Sequence, residues 1–422
     1  MDKFLLGAAT AAHQVEGNNC FSDYWAMEQL EHSSFKEPSG IGCDHYNRYR
    51  EDIEYMRIAG MNAYRFSIEW ARIEPQKGQY DEEALKHYED VITCCIQNKI
   101  TPIVTMHHFS SPYWLICEGG WENEAVVDYF ADYCRYVAER LGDRLEYVCT
   151  INEANMRFQM MAITRIMMKN MGINLQVGMN MELPEPYATA QKEQSLAFGG
   201  IEKVNDFLSP CTPQGDMLIM KAHKAAAKAM KDKCPHLKIG LTLSLHDIQP
   251  VPGGEELAAR YWEEEFTHYL PYIKKDDFLG VQNYTRQLVN EEGELPVPDG
   301  KRHTEMGYEF YPEGIENVLR TVRKQLNIPL LVTENGIASL DDKERVEYVE
   351  TALKGVKKCI DDGIPVIGYL YWSLLDNFEW QLGYSRHFGL IEIDRDTMER
   401  KPKDSFYKIA EIWGKINQEE TL

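Results

Sequence analysis

Eight short, β-prone apolar runs alternate with amphipathic helical patterns along the whole chain, and no Gly/Ser/Pro-rich linker or composition break interrupts them. Parallel strands need a crossover between them, and a helix is the usual one, so this alternation points to βα units around a parallel sheet. The predicted strands are Phe4–Ala9, Ala63–Ile68, Pro102–Met106, Leu145–Ile151, Lys238–Leu243, Phe278–Tyr284, Leu330–Thr333 and Val366–Tyr371. Helical patterns cover Tyr46–Ile58, Glu83–Gln97, Val126–Leu141, Leu218–Lys233, Glu255–Tyr269, Gly314–Leu326, Lys343–Asp361 and Ser405–Trp413. Eight strands each followed by a helix close most simply into a single (β/α)8 TIM barrel, expected to span 1–422 in the α/β class. An open doubly wound sheet is the alternative. It would carry a Gly-rich phosphate turn after its first strand, and Gly7-Ala8-Ala9-Thr10-Ala11-Ala12 is small without being GxGxxG. The stretch 156–214 is too long for an ordinary βα loop and is expected to build a wall of the barrel mouth.

Charge narrows the partners. With 45 basic against 67 acidic residues, the formal net charge is -22. Such a chain is repelled by nucleic acid and by anionic membrane surfaces, which leaves a small molecule as the expected partner. The ten cysteines show no CxxC pair and no metal-ligand spacing, as expected of reduced thiols in a cytoplasmic protein. No apolar run reaches the roughly 18 residues of a membrane helix. The start pairs Lys3 with Asp2 before a very short apolar stretch, which reads as a first strand rather than a secretion signal.

Barrel enzymes carry their reacting groups at the C-terminal ends of strands. Five predicted strands end in polar or ionisable residues: Arg65-Phe66-Ser67, His107-His108, Asn152-Glu153, Asn283-Tyr284 and Glu334-Asn335. Glu153 and Glu334 finish apolar strands four and seven, on opposite sides of an eight-strand ring. Each alone could be a salt-bridge partner or a helix cap. Together they offer two carboxyls facing across one mouth, which glycoside hydrolysis requires: one protonates the leaving oxygen while the other attacks carbon or activates water. Arg65 and Tyr284 either hold an ionised carboxylate or serve as an ion pair and a core tyrosine. The last strand runs into Trp372-Ser373-Leu374-Leu375-Asp376-Asn377-Phe378-Glu379-Trp380. An indole face beside a carboxylate suits a sugar, although such aromatic clusters also build cores. His107 and His108, adjacent on a strand, point to opposite faces and cannot chelate one ion. With no HExxH motif either, neither metal nor cofactor is expected.

Nearly end to end, the motifs resemble glycoside hydrolase family 1, the β-glucosidase family. They include FLLGAATAAHQVEG, DHYNRYREDI, NAYRFSIEWARIEP, TPIVTMHHF, GGWEN, TINEAN, DFLGVQNYTR, VTENG, YWSLLDNFEWQLGYSRHFGL and KPKDS. The resemblance implies a (β/α)8 barrel and retaining double displacement on a terminal non-reducing β-D-glucosyl, β-galactosyl or related residue of a small glycoside. It further implies Glu153 as acid/base, Glu334 as nucleophile, Asn152 on the sugar 2-hydroxyl, and Arg65 and Tyr284 holding Glu334. Gln14, His108, Glu379 and Trp380 would bind the glycone hydroxyls, with Trp372 as floor and Phe388 beside it. Glu379-Trp380 is similar to the non-phosphorylated branch. A 6-phospho-β-glucosidase and a catalytically silent sugar-binding barrel are the alternatives. Three residues depart from the family pattern: Ala154 replaces the usual Pro, Gln282 the usual Asn, and Phe109 a common Trp.

Overall fold

The computed structural model describes residues 3–161, 164 and 185–418. Among them a parallel sheet of nine strands forms the frame: β1 Leu5–Ala9, β2 Ala63–Ser67, β3 Thr101–His107, β4 Tyr147–Ile151, β5 Lys238–Gly240, β6 Thr242–Ser244, β7 Leu279–Gln282, β8 Leu330–Asn335 and β9 Val366–Trp372. β1 pairs with β2 on one side and with β9 on the other. β5 pairs with β4 and β6 with β7, while the Gly280 N–H donates to the Leu241 carbonyl between them at 2.9 Å. The two ends of the sheet are therefore the halves of one strand, and the sheet closes as an eight-strand barrel. The predicted run Lys238–Leu243 is interrupted at Leu241 because this strand changes neighbours there, as the stagger of a closed barrel demands. The wall is tight: a Cβ on Gly7 would lie 1.7 Å from the Ala63 carbonyl oxygen, so only glycine fits.

Helices ring the barrel at His45–Ile58, Glu82–Gln97, Val126–Leu141, Pro213–Lys233, Glu255–Glu265, Gly314–Arg323, Asp342–Asp361 and Asp404–Gln418. Several begin on a side-chain cap: Asp81 accepts from the amides of Glu83 and Ala84, Thr212 from Gly215, and Asp341 from Lys343. Val126–Leu141 buries Val126, Phe130, Tyr133, Val137 and Leu141, the three-and-four spacing of one helical face. Two helices stop short of the predicted length. The first ends at Glu265 because Phe266 leaves helical geometry (φ -138, ψ -57), and Thr267–Tyr269 is a separate 3₁₀ turn. The second ends at Arg323, ahead of Pro329. Of the stretch 156–214, residues 162–163 and 165–184 lie outside the described residues, and Glu185–Ala197 forms a helix. All ten cysteines are free thiols, most of them buried. Among the described residues no helix is long and apolar enough to cross a membrane.

Candidate active site

The C-terminal ends of β3, β4, β6, β7, β8 and β9 converge on a cavity of about 250 Å³, where Glu153 and Glu334 both form part of the lining. Its wall includes His108, Asn152, Tyr284, Trp372, Glu379, Trp380 and Phe388. Arg65 and Gln14, both fully buried, stand behind that wall rather than on it. A larger cavity, about 860 Å³, lies at the opposite end, against strand starts such as Tyr147, Lys238 and Val366, and carries neither acid.

Glu334 is held at both oxygens. Arg65, projecting inward from β2, donates from Nη1 to Oε1 at 2.6 Å, and the Tyr284 hydroxyl donates to Oε2 at 2.6 Å. Burial lifts this carboxyl above its ordinary range, while the Arg65 charge and then the Tyr284 bond pull it back down. Arg65 is itself fixed by Thr105, whose Oγ1 accepts from Nε at 2.9 Å.

Among the described residues Glu153 makes no ion pair, and the charges of Arg65 and His246 count for less than burial and the charge of Glu334. Burial, and after it the charge of Glu334, pushes its carboxyl up to about 8. Its backbone sits in the left-handed region at φ 43, and its N–H donates to Thr242 Oγ1 at 2.8 Å. Phe109 (φ 71) and Trp380 (φ 46) share that conformation, so three of the seven described non-glycine residues with positive φ line this one cavity. Such backbones cost of order 1–3 kcal/mol each and concentrate where function requires them.

Asn152 links the two acids' surroundings. Its Oδ1 accepts from Arg65 Nη2 at 2.6 Å, Gln282 Nε2 at 2.8 Å and Thr242 Oγ1 at 3.2 Å, while Nδ2 lies 3.0 Å from His108 Nε2. Burial and the nearby Arg65 charge keep His108 neutral. The two adjacent histidines do face opposite ways: His107 Nε2 meets Ser111 Oγ at 3.0 Å and its ring packs on Trp121, whereas His108 stacks between Trp372 and Trp380. Gln14 donates from Nε2 to the Phe378 carbonyl at 2.7 Å, which pins the Trp372–Trp380 segment beside the cavity. The Glu379 carboxyl is pushed up to about 8 by burial and by the charge of Glu334. Glu379 Oε2 and Gln14 Oε1 are buried and have no hydrogen-bond partner among the described residues, so both keep spare acceptor capacity beside the cavity. Gly336 lets β8 approach β9 closely, since a Cβ there would lie 2.0 Å from the Trp372 carbonyl oxygen. Among the described residues no group of three or more His, Cys, Asp or Glu side chains could hold a metal ion.

Ser244, Met306 and Tyr308 also line the cavity without having been singled out in the sequence. Ser244 ends a barrel strand and obeys the same strand-end rule, so the signal was there. Met306 and Tyr308 sit on a long connection after β7, where no periodicity marks them. They also border a second cavity of about 500 Å³ that contains His246, Arg286 and Glu294.

The family model for glycosyl hydrolase family 1 matches residues 1–183 and 266–417. The chain belongs to glycosyl hydrolase family 1. It is 31% identical to beta-glucosidase A of Thermotoga maritima over 97% of this chain and 96% of that protein. It is 26% identical to a 6-phospho-beta-galactosidase of Clostridium acetobutylicum over 97% of this chain and 96% of that one. Among solved structures, the beta-glycosidase BGL167 superposes with a TM-score of 0.87 at 42% identity, covering 99% of this chain and 96% of that one. A beta-glucosidase of Thermotoga maritima in complex with cyclophellitol gives a TM-score of 0.81 at 28% identity, over 99% and 98%.

Set in the family 1 barrel, the three departures acquire physical meaning. Ala154 has an N–H where proline has none, and it donates to the Thr242 carbonyl at 2.9 Å. Gln282 reaches Asn152 rather than Glu334. Phe109 packs at 5.2 Å on Trp380 and contributes an apolar face without a donor.

Proposed function

We propose that the protein is a retaining exo-β-glycosidase that releases terminal non-reducing β-D-glucosyl or related β-galactosyl residues from small glycosides by double displacement. One observation carries this reading: two glutamates share one cavity, and among the described residues Glu334 is the one of the pair with a guanidinium bonded to its carboxylate, beside the Tyr284 hydroxyl. Near neutral pH the pair then holds one charge and one proton, with the charge on Glu334. In the first step Glu334 attacks the anomeric carbon, the glycosidic C–O bond breaks, and the departing oxygen takes the proton of Glu153. In the second, Glu153 takes a proton from water, the hydroxide oxygen bonds to the anomeric carbon, and Glu334 is released. Asn152 is assigned to the sugar 2-hydroxyl and Gln14, His108, Glu379 and Trp380 to the remaining glycone hydroxyls, with Trp372 as floor and Phe388 at its side.

The leaving group would exit toward the cavity that shares Met306 and Tyr308 with the acids. Its wall also holds His246, whose charge is among those that act on Glu153. Met156, Met160 and Leu208 on the cavity wall support the stretch 156–214 as part of the mouth of a single catalytic barrel. A cytoplasmic setting is supported by ten free thiols. The non-phosphorylated substrate is favoured because, among the described residues, the cavity lining has no lysine or arginine to neutralise a sugar 6-phosphate. A panel of nitrophenyl β-glucoside, β-galactoside, β-fucoside and their 6-phosphates tests the reading. Release from the unphosphorylated glucoside or galactoside is expected. Turnover confined to 6-phosphoglycosides, or sugar binding without release, overturns it.

A further inference from the structure

The hydrogen-bond pattern around Asn152 settles which end of its amide is which. Three buried donors converge on Oδ1: a guanidinium Nη2, an amide Nε2 and a hydroxyl. A flipped amide would set its NH₂ 2.6 Å from the Arg65 guanidinium, which can only donate, so Arg65 fixes Oδ1 on this side. Nδ2 therefore faces His108 as a donor, and Nε2 of that histidine must accept, which leaves the ring proton on Nδ1. Both Asn152 and His108 line the cavity, so one amide orientation sets the hydrogen-bond polarity of two wall residues.

Gln282 is the odd member of the three donors. Arg65 already holds Glu334, and Thr242 already accepts from the backbone of Glu153. Gln282 has no exposure and gives its Nε2 to Asn152, yet its Oε1 has no hydrogen-bond partner among the described residues. A buried carbonyl oxygen left unpaired lowers stability, and an apolar side chain of equal length would avoid that cost. The shorter asparagine common at this family position would not extend as far toward Asn152.

We propose that Gln282 is a positioning residue, which orients the Asn152 amide so that Nδ2 meets the substrate's 2-hydroxyl and His108 keeps its proton on Nδ1. The proposal rests on the assignment of Asn152 to that hydroxyl. The test uses the full-length enzyme and its Gln282→Met variant, which keeps the length while removing both the donor and the unpaired oxygen. For each, kcat/KM is measured on nitrophenyl β-glucoside and on its 2-deoxy analogue, beside a thermal melt. Because the intrinsic reactivities cancel, the wild-type-to-variant change in the ratio isolates the 2-hydroxyl contact.

The expected result is a drop of about three- to tenfold in that ratio, the worth of one hydrogen bond, with the melting temperature held or raised. Gln282→Asn, too short to reach, is expected to lose the same factor. Equal losses on both substrates, or an unchanged ratio in both variants, overturn the proposal, whatever happens to the melt. A wild-type enzyme that does not discriminate against the 2-deoxy compound overturns the Asn152 assignment, and the proposal falls with it. Discrimination that survives both substitutions overturns the proposal alone.

Discussion

Replacing Glu153 by glutamine removes a proton that burial has made available. With its carboxyl pushed up to about 8, about nine-tenths of Glu153 carries a proton at pH 7. At the ordinary value of 4.5 the protonated share would be about 0.3%, so the cavity raises the supply of acid about 300-fold. A general acid contributes about 10²–10⁴ in rate. Glu153→Gln should therefore lower kcat/KM on alkyl glycosides, whose leaving oxygens need protonation, by about that factor. An activated dinitrophenyl glycoside should lose far less in kcat/KM, because its phenolate leaves unaided. Its kcat should still fall, since the second step has lost its base. The wild-type pH profile of kcat/KM should decline on the alkaline side near pH 8, where Glu153 gives up its proton. That decline should vanish in the variant. Glu379 provides the control, for its carboxyl is also pushed up to about 8. An alkaline limb that persists in Glu153→Gln belongs to Glu379 instead and refutes the assignment, as does an equal loss on all leaving groups.

Glu334→Ala should abolish turnover, and azide, a small anion able to fill the vacated space, should restore it as an inverted glycosyl azide identified by NMR; undiminished turnover would remove Glu334 from the mechanism. Tyr284→Phe deletes a 2.6 Å bond to Glu334, a hydrogen bond to a charged group worth about 1.5–3 kcal/mol. A fall in kcat/KM of about 10- to 150-fold follows, together with an acid limb moved to higher pH, because the hydroxyl helps hold the Glu334 carboxyl down. Stability should also track Glu153. Its folded form keeps a proton that the unfolded chain sheds near 4.5, so the native state loses stability as pH rises from there toward about 8. Thermal melts at pH 5 and pH 8.5 should show a smaller drop in Glu153→Gln than in the wild type, and equal drops would contradict the burial argument.

How much of this was legible beforehand depended on whether a residue belongs to a repeated pattern. Every barrel strand was marked by an apolar run, and Glu153 and Glu334 were conspicuous because a carboxyl ending such a run is expensive without a role. The interruption at Leu241 was invisible, since apolarity continues through it; only the geometry of closing a ring shows that Lys238–Gly240 and Thr242–Ser244 face different neighbours. Thr242 was likewise silent, although it accepts from the backbone of Glu153 and donates to Asn152. Met306 and Tyr308 belong to irregular chain, where spacing carries no information about direction. The reach of Gln282 to Asn152 depends on a single methylene and on the register of β7 against β8, and neither can be read from one sequence.

The arrangement turns on one asymmetry. Two buried carboxyls in the same cavity repel one another's charge, so they ionise as a pair with one proton held late. Nothing in the chemistry of glutamate decides which member keeps it. Arg65 decides, because β2 delivers its guanidinium to Glu334, while among the described residues Glu153 has a hydroxyl at its backbone and no ion-pair partner. The same guanidinium gives its other arm to Asn152, so in the proposed mechanism the group that holds the charge on Glu334 also helps orient the residue assigned to the sugar. A lysine could neutralise Glu334 but lacks the fork needed to grip both partners at once. Charge alone would accept either residue at this position; bonding Glu334 and Asn152 at the same time requires arginine.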